Sequence, residues 1–354
     1  MIKSKDISVI VQGVVNNDTH TVLKSIRKNL LFSQIILSTW EGSDVSRNSG
    51  LYDILVLNKD PGAVIFDDKE NKPNNLNRIL VSSQNGITKA TRKYVLRLRS
   101  DLVLTNANLL KLTDDFKIRT PDVSLFKQRI FAYDIFSIKY DTKKTIKQRM
   151  PFHISDWCYL GLKEDLQELF NVPLVSEPEF SRYFETHNKP VDDIHTNRLW
   201  KMSPEQYFTS SNAAKVFEDL NFEHYLDVTE KNIKQSEDFI INNFRVFSGN
   251  EWGIKPLKKQ YKDIMMSANN PFTYYSMFEQ QKDYKKYCDN SDAIKDYKFI
   301  KTLYNLKYFE PLKKHFFRLI YTSPLKKPTE LISTISYLLK FLFFAIKGEL
   351  CKKK

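Results

Sequence analysis

The chain has 354 residues, of which 42% are hydrophobic and 27% are charged. These values are typical of a globular protein and exclude a disordered or collagen-like one. Three scattered cysteines are too few for a disulfide framework or a zinc site, so we expect a reducing compartment. The net charge is +13, but residues 301–354 hold 12 basic and only 3 acidic side chains. Since the excess is concentrated there, nucleic-acid binding by the body of the protein is disfavoured.

The first hundred residues alternate between predicted strands and predicted helices. Apolar runs predict strands at residues 7–11, 35–39, 54–57 and 94–98. Helical spacing predicts helices at 20–30, capped by Asp18 and Thr19, and at 75–91, with a loop at 58–75. Because alternating elements favour right-handed crossovers, we expect an α/β fold with a mostly parallel, Rossmann-type sheet flanked by helices.

After residue 120 the pattern is less regular. It predicts a strand at 123–126, an aromatic segment at 154–161 and short helices at 163–170 and 204–208, with Ser203 as the N-cap of the second. Residues 212–226 and most of 255–319 are predicted to be helical. The sequence therefore indicates a helical C-terminal region after the sheet.

Charged side chains follow several of the predicted strands, where ligands of parallel sheets bind. Arg97 and Arg99 share one face of a strand that Asp101 directly follows. Guanidinium groups bind phosphate, and a carboxylate can hold Mg²⁺ or Mn²⁺, so these residues predict a diphosphate site with or without a divalent metal. The alternative is a solvated cluster of ion pairs at the sheet edge.

Two later segments carry further candidates. In His153–Trp157, Asp156 can bind hydroxyl groups, and Trp157 with Tyr159 can form a wall on which a sugar stacks; the alternative is an ordinary aromatic core. Glu205 opens a predicted helix, where it is either a general base or simply an acid that suits the helix dipole.

Several segments resemble the WavE lipopolysaccharide-synthesis family of bacterial glycosyltransferases. The resemblance covers roughly residues 5–210 and rests on ISVIVQG, IILSTWEGSDV, LVLNKDPG, NNLNRILVSSQNGITKA, LRLRSDLVL, FHISDW, LGLKEDL and SPEQY. It implies a GT-A-like fold and transfer of a sugar from a nucleotide-sugar donor to a lipopolysaccharide core or another surface polysaccharide.

The resemblance also implies roles for individual residues. The metal- and diphosphate-binding DxD element of the GT-A fold reads Arg99-Ser100-Asp101, so its first acid is replaced by arginine and Asp101 alone could hold a metal. Glu205 is the implied base, with Asp156 as its competitor and His153 and Trp157 as contacts to the acceptor or sugar. The implied donor pocket also contains Gln12, Trp40, Glu41, Asp44, Asn58, Lys59, Asp60, Asn77 and Arg78.

The division of the chain follows from these assignments. We expect a catalytic domain at 1–210, a supporting or acceptor-side region at 211–323 and a basic tail at 324–354. The tail places the apolar stretch 331–346 between lysines, which favours an amphipathic helix on an anionic membrane; the alternative is a helix packed on the body. We therefore expect a cytoplasmic enzyme peripheral to the inner membrane, acting on a lipid-linked or lipid A core glycan.

Two other functions stay open from the sequence. One is a nucleotidyl- or phosphotransferase that modifies surface glycans on a similar sheet. The other, disfavoured by the charge distribution, is a basic nucleic-acid-binding protein.

Overall fold

A seven-stranded sheet forms the centre of the protein in the computed structural model, which describes residues 2–141, 148–191, 195–258, 275, 277–289 and 339. Contacts divide the chain into two units, Met1–Asn290 and Ser291–Lys354, and the account below concerns the first. The predicted tail at 324–354, apart from Leu339, and most of the segment predicted helical at 255–319 lie outside the described residues. The division of roles among three regions stays a prediction.

The described residues contain thirteen strands and seven α-helices. The strands are β1 (Ile7–Gln12), β2 (Gln34–Trp40), β3 (Ile54–Asn58), β4 (Val64–Asp67), β5 (Lys72–Asn74), β6 (Tyr94–Arg99), β7 (Leu102–Leu104), β8 (Ile130–Tyr133), β9 (Tyr140–Asp141), β10 (Gln148–Arg149), β11 (Cys158–Leu162), β12 (Phe244–Phe247) and β13 (Ile254–Pro256). The helices are α1 (Asn17–Asn29), α2 (Leu76–Thr88), α3 (Lys163–Phe170), α4 (Pro204–Ala213), α5 (Glu230–Asn243), α6 (Gly249–Trp252) and α7 (Met277–Tyr287).

The strand order of the central sheet is β12-β8-β11-β6-β1-β2-β3. Neighbouring strands pair in parallel except around β11, which is antiparallel to both β6 and β8. Six strands consequently run in one direction and end at the same edge. The predicted mostly parallel, Rossmann-type sheet is confirmed. Smaller two-stranded sheets pair β4 with β5, β7 with β13, and β9 with β10.

Helices cover both faces of the sheet. The apolar residues of α1 pack against one face of the sheet in one core cluster. Those of α2, α3 and α5 pack against the other face in a second cluster. Helix α2 approaches β1 so closely that a Cβ at Gly86 would lie 2.4 Å from a methyl group of Ile10. A glycine is therefore required where this helix crosses the sheet.

Three predicted elements differ from the structure. Helix α1 begins earlier than expected because Asn16, rather than Asp18 or Thr19, accepts the capping hydrogen bonds. The strand predicted at 123–126 is a short 3₁₀ turn, Pro121–Val123, and the strand lies at Ile130–Tyr133 instead. Residues 212–226 do not continue as a helix, since α4 ends at Ala213, where the Asn212 side chain bonds the carbonyl oxygens of Leu169 and Phe208.

Candidate active site

The candidate residues gather at the carboxyl edge of the sheet. Gln12, the last residue of β1, lies in register with Arg99, the last residue of β6. Strand β11 runs in the opposite direction, so the residues that precede it, Asp156 and Trp157, reach the same edge. This topology brings together side chains from distant parts of the sequence.

A carboxylate held between two cations follows β6. The Arg99 guanidinium makes a paired hydrogen bond to Asp101, with Nε 3.0 Å from Oδ1 and an outer nitrogen 2.8 Å from Oδ2. The Lys258 ammonium lies 3.1 Å from the same Oδ2. Burial would raise the pKa of Asp101, but the charges of Arg99 and Lys258 hold it below its usual value. The cluster carries a net positive charge, which suits an anionic ligand.

The indole ring of Trp157 packs against the Arg99 guanidinium. Its ring is only 2% exposed and lies with its face toward the Arg99 guanidinium, 4.6 Å from the ring centre. Such a cation–π contact orients the guanidinium at the sheet edge. Because the ring is buried, the sugar-stacking wall expected of Trp157 and Tyr159 is wrong; Tyr159 is only 1% exposed.

Arg97 lies deeper than its position on the strand suggested. Although it shares a strand face with Arg99, its side chain is fully buried. Its Nε donates to Ser83 Oγ over 3.1 Å, and another nitrogen donates to the backbone carbonyl of Asp156. Burial lowers the pKa of this guanidinium, and the nearby Asp156 charge opposes that effect. Direct phosphate binding, expected for Arg97, is therefore incompatible with its burial; it supports the Asp156 segment instead.

Two carboxylates interact beside this cluster. Burial and, after it, the negative charge of Glu205 raise the pKa of Asp156 to about 6, while Arg97 and Arg99 act in the opposite direction. Asp156 is 6% exposed, whereas Glu205 is only partly buried. Burial also raises the pKa of Glu205, although hydrogen bonds from its own amide and from Ser203 lower it in part. Paired acids with raised pKa values are typical of acid–base sites.

Helix α4 places Glu205 in the pair. Ser203 caps this helix, as predicted, and Gln206 completes the capping box by bonding back to the Ser203 amide. Pro204 stands at the first helical position, where its missing N–H costs nothing. Since Gln206 provides the reciprocal capping bond, the capping box does not require an acid at position 205.

Histidine and arginine side chains complete the surroundings. Burial and, less strongly, the charge of Arg198 lower the pKa of His153 to about 4. Its Nδ1 lies 2.7 Å from the Phe136 carbonyl oxygen, so the neutral ring donates there. Arg198 also lowers the pKa of Glu205, and His195 contributes to lowering the pKa of His153. Sequence reasoning missed both Arg198 and Lys258.

The residues implied for the donor pocket fall into two groups. Some are structural: Asn58 is buried and bonds Ser38, Thr39 and Asn85, and Gln12 accepts a hydrogen bond from Ser82 over 2.6 Å. Asn77 is also held in place, since its amide exchanges two hydrogen bonds with the backbone of Val175. The side chain of Asn77 therefore fixes a loop rather than reaching the sheet edge.

The other group lies at or near the surface beyond β2 and β3. Asp60 accepts two hydrogen bonds of 2.7 Å from Arg78, and Asp44 accepts one from the Ser46 amide. Glu41 and Lys59 are exposed. Trp40 is the exception, since it is the last residue of β2 and is buried, with 7% of its surface exposed. Their part in donor binding stays a prediction.

A comparison with models of protein families identifies the family of this chain. The model of the family described as WavE lipopolysaccharide synthesis matches residues 7–315. The chain belongs to this WavE family. The resemblance expected from the sequence motifs is confirmed, and the match extends more than a hundred residues beyond the region that carried it. The comparison with curated proteins gives no match.

Membership in the WavE family indicates a role in lipopolysaccharide biosynthesis. The matched range contains every candidate residue at the sheet edge, including Arg198 and Lys258. Within the described ranges, none of the helices combines the length and apolar character that a membrane crossing needs.

The divalent metal implied for Asp101 does not fit its surroundings in this WavE protein. Both oxygens of Asp101 already contact cations, namely the Arg99 guanidinium and the Lys258 ammonium. In the part of the chain that the structure describes, no three His, Cys, Asp or Glu side chains are grouped to hold a metal ion.

Proposed function

We propose that this WavE protein is a glycosyltransferase that moves a sugar from a nucleotide-sugar donor to a lipopolysaccharide core or other surface polysaccharide acceptor. The observation that carries the proposal is the position of a cationic pair, Arg99 and Lys258, beside a carboxylate pair, Asp156 and Glu205. Glycosyl transfer needs both, since a diphosphate leaves as an anion while an acceptor hydroxyl loses a proton.

Arg99 and Lys258 would bind the leaving diphosphate. Arginine matches phosphate oxygens with two parallel N–H groups, and lysine adds a point charge. Asp101 holds both cations in place before the donor arrives. Charge that is already oriented when the leaving group becomes negative lowers the barrier without reorganisation. The two cations thus supply the stabilisation that a divalent metal gives in other transferases, and we propose that no metal is required.

Glu205 would act as the general base. It is more exposed than Asp156, so an acceptor hydroxyl can reach it. A general base must first lie within hydrogen-bond distance of the proton it removes, and its pKa matters only then. The acceptor oxygen forms a bond to the anomeric carbon while the bond from that carbon to the diphosphate oxygen breaks. The electron pair leaves with the diphosphate, and the hydroxyl proton passes to Glu205. Asp156 is the more buried of the two and, with a pKa of about 6, adds its own negative charge to the pair above that pH.

A nucleotide-binding assay on the full chain tests the donor site. Thermal unfolding is followed with UDP, GDP, CMP and ADP, each in EDTA and in Mn²⁺. A ligand at a hundred times its dissociation constant stabilises by about 2.7 kcal/mol, so selective binding is readily seen. We expect a shift with one nucleotide diphosphate in EDTA, its loss in Arg99→Gln, and its retention in Arg47→Gln, an exposed arginine outside the cluster.

Product analysis then separates the candidate reactions. Glycosyl transfer releases a nucleoside diphosphate, or a monophosphate from a CMP-linked donor, whereas nucleotidyl transfer releases pyrophosphate. Pyrophosphate release with a nucleotide-modified glycan would replace the proposal by the nucleotidyltransferase alternative. A shift that appears only with Mn²⁺ would contradict the metal-independent site.

We further propose that the enzyme works at the cytoplasmic face of the inner membrane, held there by residues 324–354. The six lysines at positions 326, 327, 347 and 352–354 support this, since each basic residue near an anionic surface contributes about 1 kcal/mol. Full-length protein should sediment with anionic vesicles and not with neutral ones. Replacing the six lysines by glutamine should abolish sedimentation without changing nucleotide binding.

A further inference from the structure

A cavity of about 740 Å³ lies along helix α4, and none of the candidate residues at the carboxyl edge of the sheet lines it. Tyr207, Ser210, Ser211 and Ala214 line it from the helix. Their spacing of three and four residues places them on one stripe of α4. Glu205 precedes Tyr207 by two positions, which is more than half a turn, so it faces away from this stripe. The cavity and the carboxylate pair therefore use different faces of one helix.

The walls of the cavity are fixed by backbone hydrogen bonds. The Lys201 amide donates to the Phe180 carbonyl over 2.8 Å, and the Tyr225 amide donates to the Lys201 carbonyl over 2.8 Å. Beneath them, Phe66 stacks on Trp200 with ring centres 3.7 Å apart. A cavity built this way is formed before any ligand arrives, as in most small-molecule sites.

The lining mixes partly buried aromatic rings with polar side chains. Phe180, Tyr207 and Phe222 are partly buried, and Phe180 meets Tyr207 edge to face at 5.5 Å. The hydroxyls of Ser210 and Ser211 lie on the same helix stripe. A sugar ring needs both kinds of surface, because its C–H faces carry partial positive charge that aromatic faces attract, while its hydroxyls need hydrogen-bond partners.

The charges around the cavity are nearly balanced. Arg182 is paired with Asp68 and with Glu185, so its charge is compensated within the protein. Lys201 lies over the Tyr183 ring, 5.2 Å from its centre, and Glu179 also lines the cavity. An acyl chain would favour a uniformly apolar lining, and a free polyphosphate would favour uncompensated cations. A neutral or weakly charged oligosaccharide agrees better with both observations.

We propose that this cavity binds the acceptor glycan, through sugar units that precede the one being extended. The inference rests on the proposed transferase function and assigns its acceptor subsite. Lys201 precedes Glu205 by four positions, so their Cα atoms lie at most about 14 Å apart. Because Lys201 and Met202 also line the cavity and Ser203 caps α4, a short oligosaccharide held on Phe180 and Tyr207 would pass the N-terminal end of the helix to present its next hydroxyl to the carboxylate pair.

Binding is measured on the full chain without donor or turnover. The probe is core oligosaccharide released by mild acid from the lipopolysaccharide of the cells that carry this protein, titrated calorimetrically. We expect saturable binding that Tyr207→Ala weakens about tenfold or more, whereas Tyr207→Phe, which keeps the ring, binds nearly as the parent does. Ala214→Trp, at an exposed position on the cavity wall, should block binding by filling the space.

Two further variants control for position. Glu218→Trp introduces the same side chain at an exposed residue that does not line the cavity and should leave binding unchanged. Asp101→Asn alters the cationic cluster and should also leave it unchanged. Failure of the oligosaccharide to bind, or binding that survives Ala214→Trp, would overturn the proposal, as would displacement of the probe by free lipid A, which lacks the core sugars.

The outcomes separate this inference from the function on which it rests. Oligosaccharide binding lost only in Asp101→Asn would place the glycan at the sheet edge and refute the acceptor subsite while sparing the transferase. Binding in the cavity with no sugar transfer from any nucleotide donor would refute the transferase while sparing the cavity as a glycan site.

Discussion

The ionised Asp156 carboxylate should destabilise the folded protein at neutral pH. Burial and the charge of Glu205 raise its pKa from 3.8 to about 6, so the folded state binds a proton more tightly than the unfolded state does. Stability contributed by that proton is fully present below pH 3.8 and is lost as the pH rises through 6. A shift of about two units corresponds to about 3 kcal/mol.

Asp156→Asn removes this penalty because the amide resembles the protonated acid in shape and charge. We expect the variant to be more stable than the parent near pH 7.5. The change in the free energy of unfolding should be more favourable there than near pH 4, by up to about 3 kcal/mol. Urea unfolding of both proteins at the two pH values gives the difference directly, provided that the slopes agree. Asp53→Asn serves as the control, because Arg27 and the Ile35 amide hold the pKa of Asp53 low despite partial burial.

The control should be less stable than the parent at both pH values, since the stability that Asp53 contributes is present above pH 3.8 and is lost only as the pH falls below it. If Asp156→Asn changes stability equally at both pH values, or destabilises more at pH 7.5, the assignment of a strained buried carboxylate is refuted. A gain in stability together with a loss of sugar transfer would identify Asp156 as a group kept for function at the expense of stability.

Three further changes test the site and its support. Glu205→Gln should lower the rate of sugar transfer about 10²- to 10⁴-fold, as expected for loss of a general base, while nucleotide binding persists; single-turnover rates check this, and full activity would remove Glu205 from the mechanism. Asp101→Asn should leave nucleotide diphosphate binding resistant to EDTA, as measured calorimetrically, because the amide leaves Arg99 and Lys258 to bind the anion; binding that disappears would instead favour a metal ligand. Lys139→Met should destabilise by about 3–5 kcal/mol in neutral urea unfolding, because it removes the cation that lies within 3.2 Å of the buried carboxylates of Glu237, Glu279 and Asp283; an unchanged midpoint would contradict this.

The sheet could be predicted because its strands are continuous apolar runs. Strand β1 is buried along its whole length, and α3 begins and ends at the predicted residues, 163 and 170. The extent to which a side chain at the end of a strand is buried could not be predicted. Arg97 and Arg99 share a face, and alternation alone cannot reveal that the first is sealed under Asp156 while the second reaches the edge.

Buried amides gave a second kind of error. Asn58 follows an apolar strand, as a ligand-binding residue would, yet it connects β2, β3 and α2 through its own hydrogen bonds. Arg198 and Lys258 were missed because each lies far in sequence from Arg99, and Lys258 falls in a segment predicted to be mostly helical. Only the fold brings them to the edge, through pairing of β13 with β7 in the case of Lys258.

The stretch from Arg198 to Tyr207 connects the two proposed binding regions. Arg198 acts on the pKa of Glu205, Lys201 borders the cavity, and Glu205 and Tyr207 leave α4 on different faces. Because backbone hydrogen bonds fix this stretch, an acceptor held in the cavity would meet the base at a set distance, without a conformational change. Substitutions in the cavity should therefore raise the KM for the acceptor and leave that for the donor unchanged, whereas substitution of Arg99 should do the reverse.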